Sequence, residues 1–217
     1  MEEFIMKKSI EQAPELTLLK GNVKGTPEGE KTAGMEYKRT RLSMKLLKYV
    51  LEGKYCEFTA CQNDDVRLTP MSFAEMQQYT NKMLKTDDDI YAMMAYLVIN
   101  DLGKVVPFID QIEKKLKLQS VDHDELLYEG LKQMPKLSKT FSSLESKYQE
   151  LILSGLKTKF NMGQLVRSEN LPVHLIPLTS ADYKSIYFYM IHVLYDIGGA
   201  AGHVRDDGSI IITEAYW

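Results

Sequence analysis

Histidine and carboxylate side chains occur near the ends of three apolar stretches of this 217-residue sequence. These residues are Asn100-Asp101, His123-Asp124, and His192 with Asp196 and His203. Imidazole nitrogens and carboxylate oxygens together can bind Mn, Fe, Zn or Mg. A cation held in this way can activate water for hydrolysis. The sequence therefore indicates a candidate metal site whose ligands come from distant parts of the chain.

His192 and Asp196 are the most closely spaced of these residues within a single predicted helix. A separation of four places them on one helix face, where they could bind a common cation. Their neighbours Val193, Leu194 and Tyr195 are apolar, and an unpaired charge in such surroundings is costly. The alternative is a structural pair in which the buried imidazole is hydrogen-bonded to the carboxylate.

Two segments of the chain resemble the HD-domain superfamily of metal-dependent phosphohydrolases. AYLVINDLGKVVPF is similar to the helix ending in His-Asp-x-Gly-Lys that occurs in one branch of that superfamily, and VDHDELL contains a His-Asp doublet at a helix start. The resemblance covers about residues 90–203. It implies an all-helical fold in which a His, a His-Asp doublet and a later Asp hold one or two divalent metals.

The resemblance also implies roles for individual residues. The doublet aspartate would bridge metals, which assigns Asp101 or Asp124, and Lys104 would lie near the substrate phosphate. The sequence departs from the family pattern because Asn100 stands where the first segment would have His, and no histidine precedes His123. If the first segment is the doublet, its metal site is incomplete.

If His123-Asp124 is the doublet, Asp101 replaces the upstream His and Asp196 is the final Asp. The predicted metal ligands are then Asp101, His123, Asp124, His192, Asp196 and His203. Lys104 and Arg205 would neutralise the substrate's phosphate. We therefore expect a divalent metal-dependent hydrolase (Mn, Fe, Zn or Mg) acting on a phosphoester or nucleotide, with a phosphorylated small molecule as substrate.

The alternative hypothesis is a non-catalytic helical module that binds a protein partner. The methionines between Met71 and Met83 would suit adaptable contacts. The two hypotheses differ in one respect that a structure can address. An enzyme needs its carboxylates and imidazoles to converge, whereas a binding module does not.

Two further features favour simple structural interpretations. The basic residues between Lys38 and Lys48 alternate with apolar ones, which is typical of a helix with one solvated face; the alternative is an anion site. The glycines between Gly198 and Gly208 are interpreted as a helix end followed by a turn. The alternative there is a nest of backbone N–H groups that binds an anion beside Arg205.

Hydrophobic periodicity predicts a mainly α fold, a single-domain bundle of six to seven helices that must position these residues. The predicted helices cover residues 36–51, 72–84, 87–101, 105–118, 122–132, 141–157 and 181–196. The tail DDGSIIITEAYW combines an Asp-Gly turn with a β-branched run. This pattern predicts a short C-terminal strand or hairpin.

Composition sets the domain boundaries and the expected location. Residues 1–34 are polar and rich in glycine, so we expect a flexible arm, followed by one helical domain over residues 35–217 that continues further if the chain is a fragment. A net charge of -3 argues against general nucleic-acid binding. The apolar runs are too short to span a membrane and the N-terminus lacks a secretory signal, so we predict a cytoplasmic protein.

Overall fold

The fold is mainly α-helical, as predicted. A computed structural model describes residues 13–21, 34–118, 122–158 and 182–217, and no β-strand occurs among them. The α-helices are α1 (Met35–Leu51), α2 (Tyr55–Phe58), α3 (Pro70–Met83), α4 (Asp87–Ile99), α5 (Val106–Leu116), α6 (His123–Gln133), α7 (Lys139–Ser142), α8 (Ser146–Thr158) and α9 (Tyr183–Gly199). The 3₁₀ helices are Pro14–Lys20, Asn100–Lys104 and Pro135–Leu137. The seven predicted helices correspond to the longer α-helices, and no described helix is long and apolar enough to cross a bilayer.

Helix α4 lies at the centre of the core and leads directly into Asp101 and Lys104. Its residues 92–99 are all buried. A capping box starts the helix: Thr86 Oγ1 accepts from the Asp89 backbone N–H at 3.1 Å, and Asp89 Oδ2 accepts from the Thr86 backbone N–H at 2.9 Å. The chain continues directly into Asn100–Lys104. Asp101 and Lys104 are therefore attached to a rigid, buried helix.

Two glycines let the end of α9 touch the backbone of α1. A β-carbon at Gly199 would lie 2.5 Å from the backbone nitrogen of Ser43, and one at Gly202 would lie 2.6 Å from the carbonyl oxygen of Lys38. Any other residue would push the two elements apart. None of the glycines between 198 and 208 has a positive φ. The left-handed residue that an anion-binding nest requires is therefore missing here.

A third glycine brings the two HD-like segments together. A β-carbon at Gly103 would overlap the backbone carbonyl oxygen of His123 and would lie 3.2 Å from Leu127 Cβ. The 3₁₀ helix Asn100–Lys104 therefore packs directly on the first turns of α6. This contact places Lys104 beside the His123-Asp124 doublet.

Residues 13–21, which fall within the predicted flexible arm, contain a 3₁₀ helix that packs on the core. Leu16 and Leu19 are buried in the core, and the Glu15 carboxylate accepts hydrogen bonds from Ser138 Oγ at 2.8 Å and the Thr140 backbone N–H at 3.1 Å. The apolar spacing of three suits a 3₁₀ helix, whose side chains align every three residues. This short segment supplies both core area and a buried polar anchor.

The predicted C-terminal strand or hairpin does not form in the described structure. Gln62 Nε2 donates to the carbonyl oxygens of Ser209 at 2.6 Å and Ile212 at 2.7 Å, and the Ser209 backbone N–H donates to Phe58 at 2.9 Å. These partners satisfy backbone groups that a neighbouring strand would otherwise bind. The β-branched run therefore packs as bends and turns, with Ile212 buried.

The α1–α9 contact predicts different effects on stability when either of two adjacent glycines is replaced by alanine. Gly199→Ala should lower the free energy of unfolding by about 1–3 kcal/mol, because its β-carbon meets backbone atoms that cannot rotate away. Gly198→Ala is the matched control, since the nearest neighbours of its β-carbon would be side-chain and not backbone atoms, Leu46 Cδ1 at 3.2 Å and Ile212 Cγ1 at 3.3 Å. The control should stay within about 1 kcal/mol of wild type. Urea denaturation followed by circular dichroism measures both, and equal stabilities for the two variants would contradict the steric argument.

Candidate functional site

A polar cleft of about 460 Å³ opens among the end of α4, the start of α6, α8 and α9. Five of the eight residues predicted to form a site line it: Lys104, His123, Asp124, His192 and Asp196. Their side chains come from three segments that are distant in sequence. Other lining residues include Tyr96, Asn100, Asp122, Gly155 and Tyr189. Five of the predicted residues therefore lie along one cleft.

Lys104 is held at the cleft by two carboxylates. Its Nζ lies 2.5 Å from Asp101 Oδ1 and 3.8 Å from Glu36 Oε2. Burial opposes the charge of the ammonium group, but the two carboxylates outweigh that effect and raise the pKa of Lys104. Asp101 does not itself line the cleft; it lies behind Lys104 and also accepts a long hydrogen bond, 3.5 Å, from Thr40 Oγ1. Lys104 is therefore a fixed positive charge at the cleft.

Glu36 and Arg39 of α1 complete this network; sequence reasoning missed Glu36 and assigned Arg39 to the basic run between Lys38 and Lys48. Arg39 Nη1 lies 2.9 Å from Glu36 Oε1. Burial, followed by the nearby charge of Asp101, raises the pKa of Glu36. The two residues lie more than 60 positions before Asp101. Their spacing of three on a polar helix turn resembles an ordinary surface pair, so no local signal distinguishes them.

Asp196 faces the cleft from α9. Burial raises its pKa to about 7, with a further increase from the charge of Asp101, while Lys104 and Arg39 act in the opposite direction. A carboxyl group with this pKa changes protonation state near neutral pH. The position of Asp196 beside Lys104 therefore combines a fixed cation with a titrating acid.

His192 is 2% exposed, and neither ring nitrogen has a hydrogen-bond partner in the part of the chain that the structure describes. Its ring stacks on Tyr96 with the centroids 3.7 Å apart. Burial lowers the pKa of His192 to about 3, so the ring is neutral at physiological pH. The structural alternative, in which Asp196 hydrogen-bonds to this imidazole, is therefore not what the structure shows. Two unsatisfied nitrogens lie in a side chain that lines the cleft.

The mouth of the cleft carries a compact group of potential metal ligands. Ligand atoms of Asp122, His123 and Asp124 lie within 4.8 Å of one another, and no other group of three such residues meets this condition among the described residues. His123 Nε2 lies 3.1 Å from Asp124 Oδ1, and that contact raises the pKa of His123. The six predicted ligands thus do not form one coordination sphere. Asp101, His192 and Asp196 lie apart from this group.

His203 and Arg205 lie outside the cleft. Both are exposed, and they line a second cavity on the other side of α1. Arg205 forms an ion pair with Asp207, with Nη2 2.7 Å from Oδ2. The cleft therefore receives its positive charge from Lys104 and not from Arg205.

The chain belongs to a family of unknown function (DUF6829), whose model matches residues 32–217. The matched range contains the nine α-helices of the described residues and the described residues that line the cleft. No curated protein and no solved structure matches the chain.

The buried imidazole predicts a specific pH dependence of stability. The unfolded chain binds a proton at His192 near pH 6.5, whereas the folded chain does so only near pH 3. Stability is therefore lost as pH falls below 6.5, by about 1.4 kcal/mol per unit. His192→Phe keeps a flat ring against Tyr96 and removes this proton. Its stability relative to wild type should rise by about 2 kcal/mol between pH 7 and pH 5.

Urea titrations in EDTA at several pH values measure this difference. His203→Phe, at an exposed position, controls for the loss of one histidine from the chain. A constant difference between His192→Phe and wild type across that pH range would show that the folded protein binds the proton as readily as the unfolded chain does.

Proposed function

We propose that this protein is a metal-dependent hydrolase of phosphoesters, acting on a phosphorylated small molecule or nucleotide, with the polar cleft as its active site. One observation carries the proposal: a group able to hold a cation and a fixed lysine line the same cleft. The Asp124 contact raises the pKa of His123, and the charge of Lys104 partly opposes this rise, so Lys104 and His123 lie within electrostatic range. Metal-dependent hydrolysis of a phosphoester can use both elements, because negative charge is neutralised while water attacks.

Asp122, His123 and Asp124 are the residues that would hold the cation. A mixed oxygen and imidazole donor set suits Mn, Fe, Zn or Mg. The two unsatisfied nitrogens of His192 support a ligand deeper in the cleft, since a buried polar atom normally has a partner. A bound divalent cation would lower the pKa of a coordinated water and polarise a phosphoryl oxygen.

Lys104 would bind the phosphate of the substrate. Asp101 and Glu36 fix its position, and 25% of its side-chain surface remains exposed. The ammonium group can therefore contact a substrate oxygen without leaving its carboxylate partners. Asn100, on the same turn, presents an amide that could donate a hydrogen bond to the same phosphate.

The HD-like segments add support of a different kind. Lys104 and the His123-Asp124 doublet come from the two segments that resemble the superfamily, and Gly103 places these segments in direct contact. Asn100 still replaces the expected histidine. The proposed cation site therefore relies on Asp122 as its third ligand, a residue that the resemblance does not supply.

The second candidate function is a non-catalytic helical module that binds a protein partner. One observation favours it: Tyr79, Tyr216 and Trp217 border an apolar cavity of about 220 Å³ against α9. Tyr79 is 47% exposed and Trp217 is 40% exposed. The Met71–Met83 segment offers fewer contacts than expected. Met71 is exposed and could contact a partner, but Met76 is fully buried.

Two substitutions test the hydrolase. Asp124→Asn should weaken Mn²⁺ binding about 10- to 100-fold in calorimetry, because it removes a charged ligand. Lys104→Gln should lower kcat/KM about 100-fold on any phosphoester that the wild type hydrolyses with Mn²⁺, because it removes a fixed positive charge from the substrate phosphate. Suitable substrates are bis(p-nitrophenyl) phosphate, p-nitrophenyl phosphate and a panel of mononucleotides and sugar phosphates. Lys114→Gln, on the exposed side of α5, is the matched control.

Circular dichroism checks the fold of each variant, because Lys104→Gln removes the ammonium group that pairs with the buried Asp101 carboxylate. The more exposed Asp124→Asn tests the site even if Lys104→Gln unfolds. A wild-type protein that binds none of Mn²⁺, Fe²⁺, Zn²⁺ and Mg²⁺ would exclude the hydrolase and favour the interaction module. Metal binding that Asp124→Asn leaves unchanged would exclude the proposed cation site.

A further inference from the structure

A second cavity, of about 490 Å³, lies between α1 and the segment that follows α9. Its described lining contains five Lys or Arg side chains and only one carboxylate, Asp206. The cations are Lys38, Arg41, Lys45 and Lys48 from α1, and Arg205 from the segment after α9. The whole chain has more acidic residues than basic ones, 30 against 27. The positive charge of this cavity is therefore a local concentration.

Two contacts that involve no carboxylate hold the walls of the cavity together. Gly202 packs against the carbonyl oxygen of Lys38, which holds the segment after α9 on α1. Lys45 Nζ donates to the backbone carbonyl oxygen of Asp206 at 2.7 Å. This hydrogen bond fixes the position of the Lys45 ammonium group, and because its acceptor is a backbone carbonyl, the contact does not neutralise the charge. The cavity is therefore a built concave surface and not a loose row of lysines.

Two tyrosines hold cations at the same cavity. The Tyr37 ring has Lys20 Nζ 4.4 Å from its centroid and the Arg41 guanidinium carbon at 5.6 Å, and Lys45 Nζ lies 5.7 Å from the Tyr49 centroid. A cation over an aromatic face is positioned but keeps its full charge. The two tyrosine rings therefore help to position the basic groups.

Two of the five cations contribute less to an anion site. Lys48 is only 9% exposed, and a lysine buried to this degree is normally paired. Arg205 pairs with Asp207. The attraction for an anion therefore comes mainly from Lys38, Arg41 and Lys45 on α1.

We propose that this cavity binds a small anion carrying two or more phosphate groups. Several cations held close together repel one another, and a multivalent anion removes that repulsion. The volume falls in the range of small-ligand pockets. This site does not depend on the hydrolase proposal, because Lys38 and Arg41 project from a different side of α1 than Glu36 and Thr40, which face Asp101.

Isothermal titration calorimetry with inorganic tripolyphosphate tests the cavity. EDTA is present throughout, so that no metal in the cleft can bind the anion. The full chain should bind tripolyphosphate, and added NaCl should weaken that binding by screening. Lys38→Gln with Arg41→Gln should weaken it about tenfold, because two exposed cations of the cavity are lost. Lys114→Gln with Lys115→Gln removes the same charge from exposed positions of α5 and should leave it unchanged.

Three further arms identify the anion and separate the two sites. ATP binding much more tightly than tripolyphosphate assigns the site to nucleotides, and equal binding assigns it to the phosphate chain alone; both support the proposal. Lys104→Gln should leave tripolyphosphate affinity intact, since the cleft lies elsewhere. Absence of binding, equal loss in the two double variants, or binding of single-stranded RNA without tripolyphosphate would overturn the proposal.

Discussion

Backbone-to-backbone contact between α1 and the end of α9 determines where the acidic network beside the cleft and the basic cavity lie. Gly199 and Gly202 permit that contact, and no side chain fits between the two elements. With the axes so close, one face of α1 carries Glu36 toward Asp101, and another carries Lys38 toward the segment after α9. The acidic network and the basic cavity are consequences of one steric constraint acting on two faces of a helix.

The network beside the cleft combines three carboxylates, Glu36, Asp101 and Asp196, with two cations, Lys104 and Arg39. A well-packed apolar cluster of the same volume would be at least as stable, because desolvation offsets most of the attraction between buried charges. The raised pKa of Asp196 reflects this desolvation, which the charges of Lys104 and Arg39 oppose only in part. Such an arrangement is more readily explained by a need for charge in the cleft than by stability.

Much of the fold could be predicted from sequence because apolar periodicity reports directly on buried helix faces. Lys104, Asp124 and Asp196 each lie at an end of an apolar stretch. Such positions allow the three side chains to meet at one cleft, but the sequence does not show that they do. Glu36 could not be found, because its partners are created by tertiary packing. The prediction of a C-terminal strand was wrong for the same reason. The Gln62 side chain donates to backbone carbonyl oxygens that would accept from a neighbouring strand in a sheet.

His192 lies between the core and the cleft, and its unsatisfied ring nitrogens lower the stability of the fold. Each unsatisfied polar atom in the interior costs about 1–3 kcal/mol, and this imidazole has two. Its stacking on Tyr96 recovers only part of that free energy. A molecule in the cleft that supplied a proton donor or a cation to one nitrogen would recover more. Occupancy of the cleft should therefore stabilise α4 and α9 together, because Tyr96 and His192 belong to those two helices.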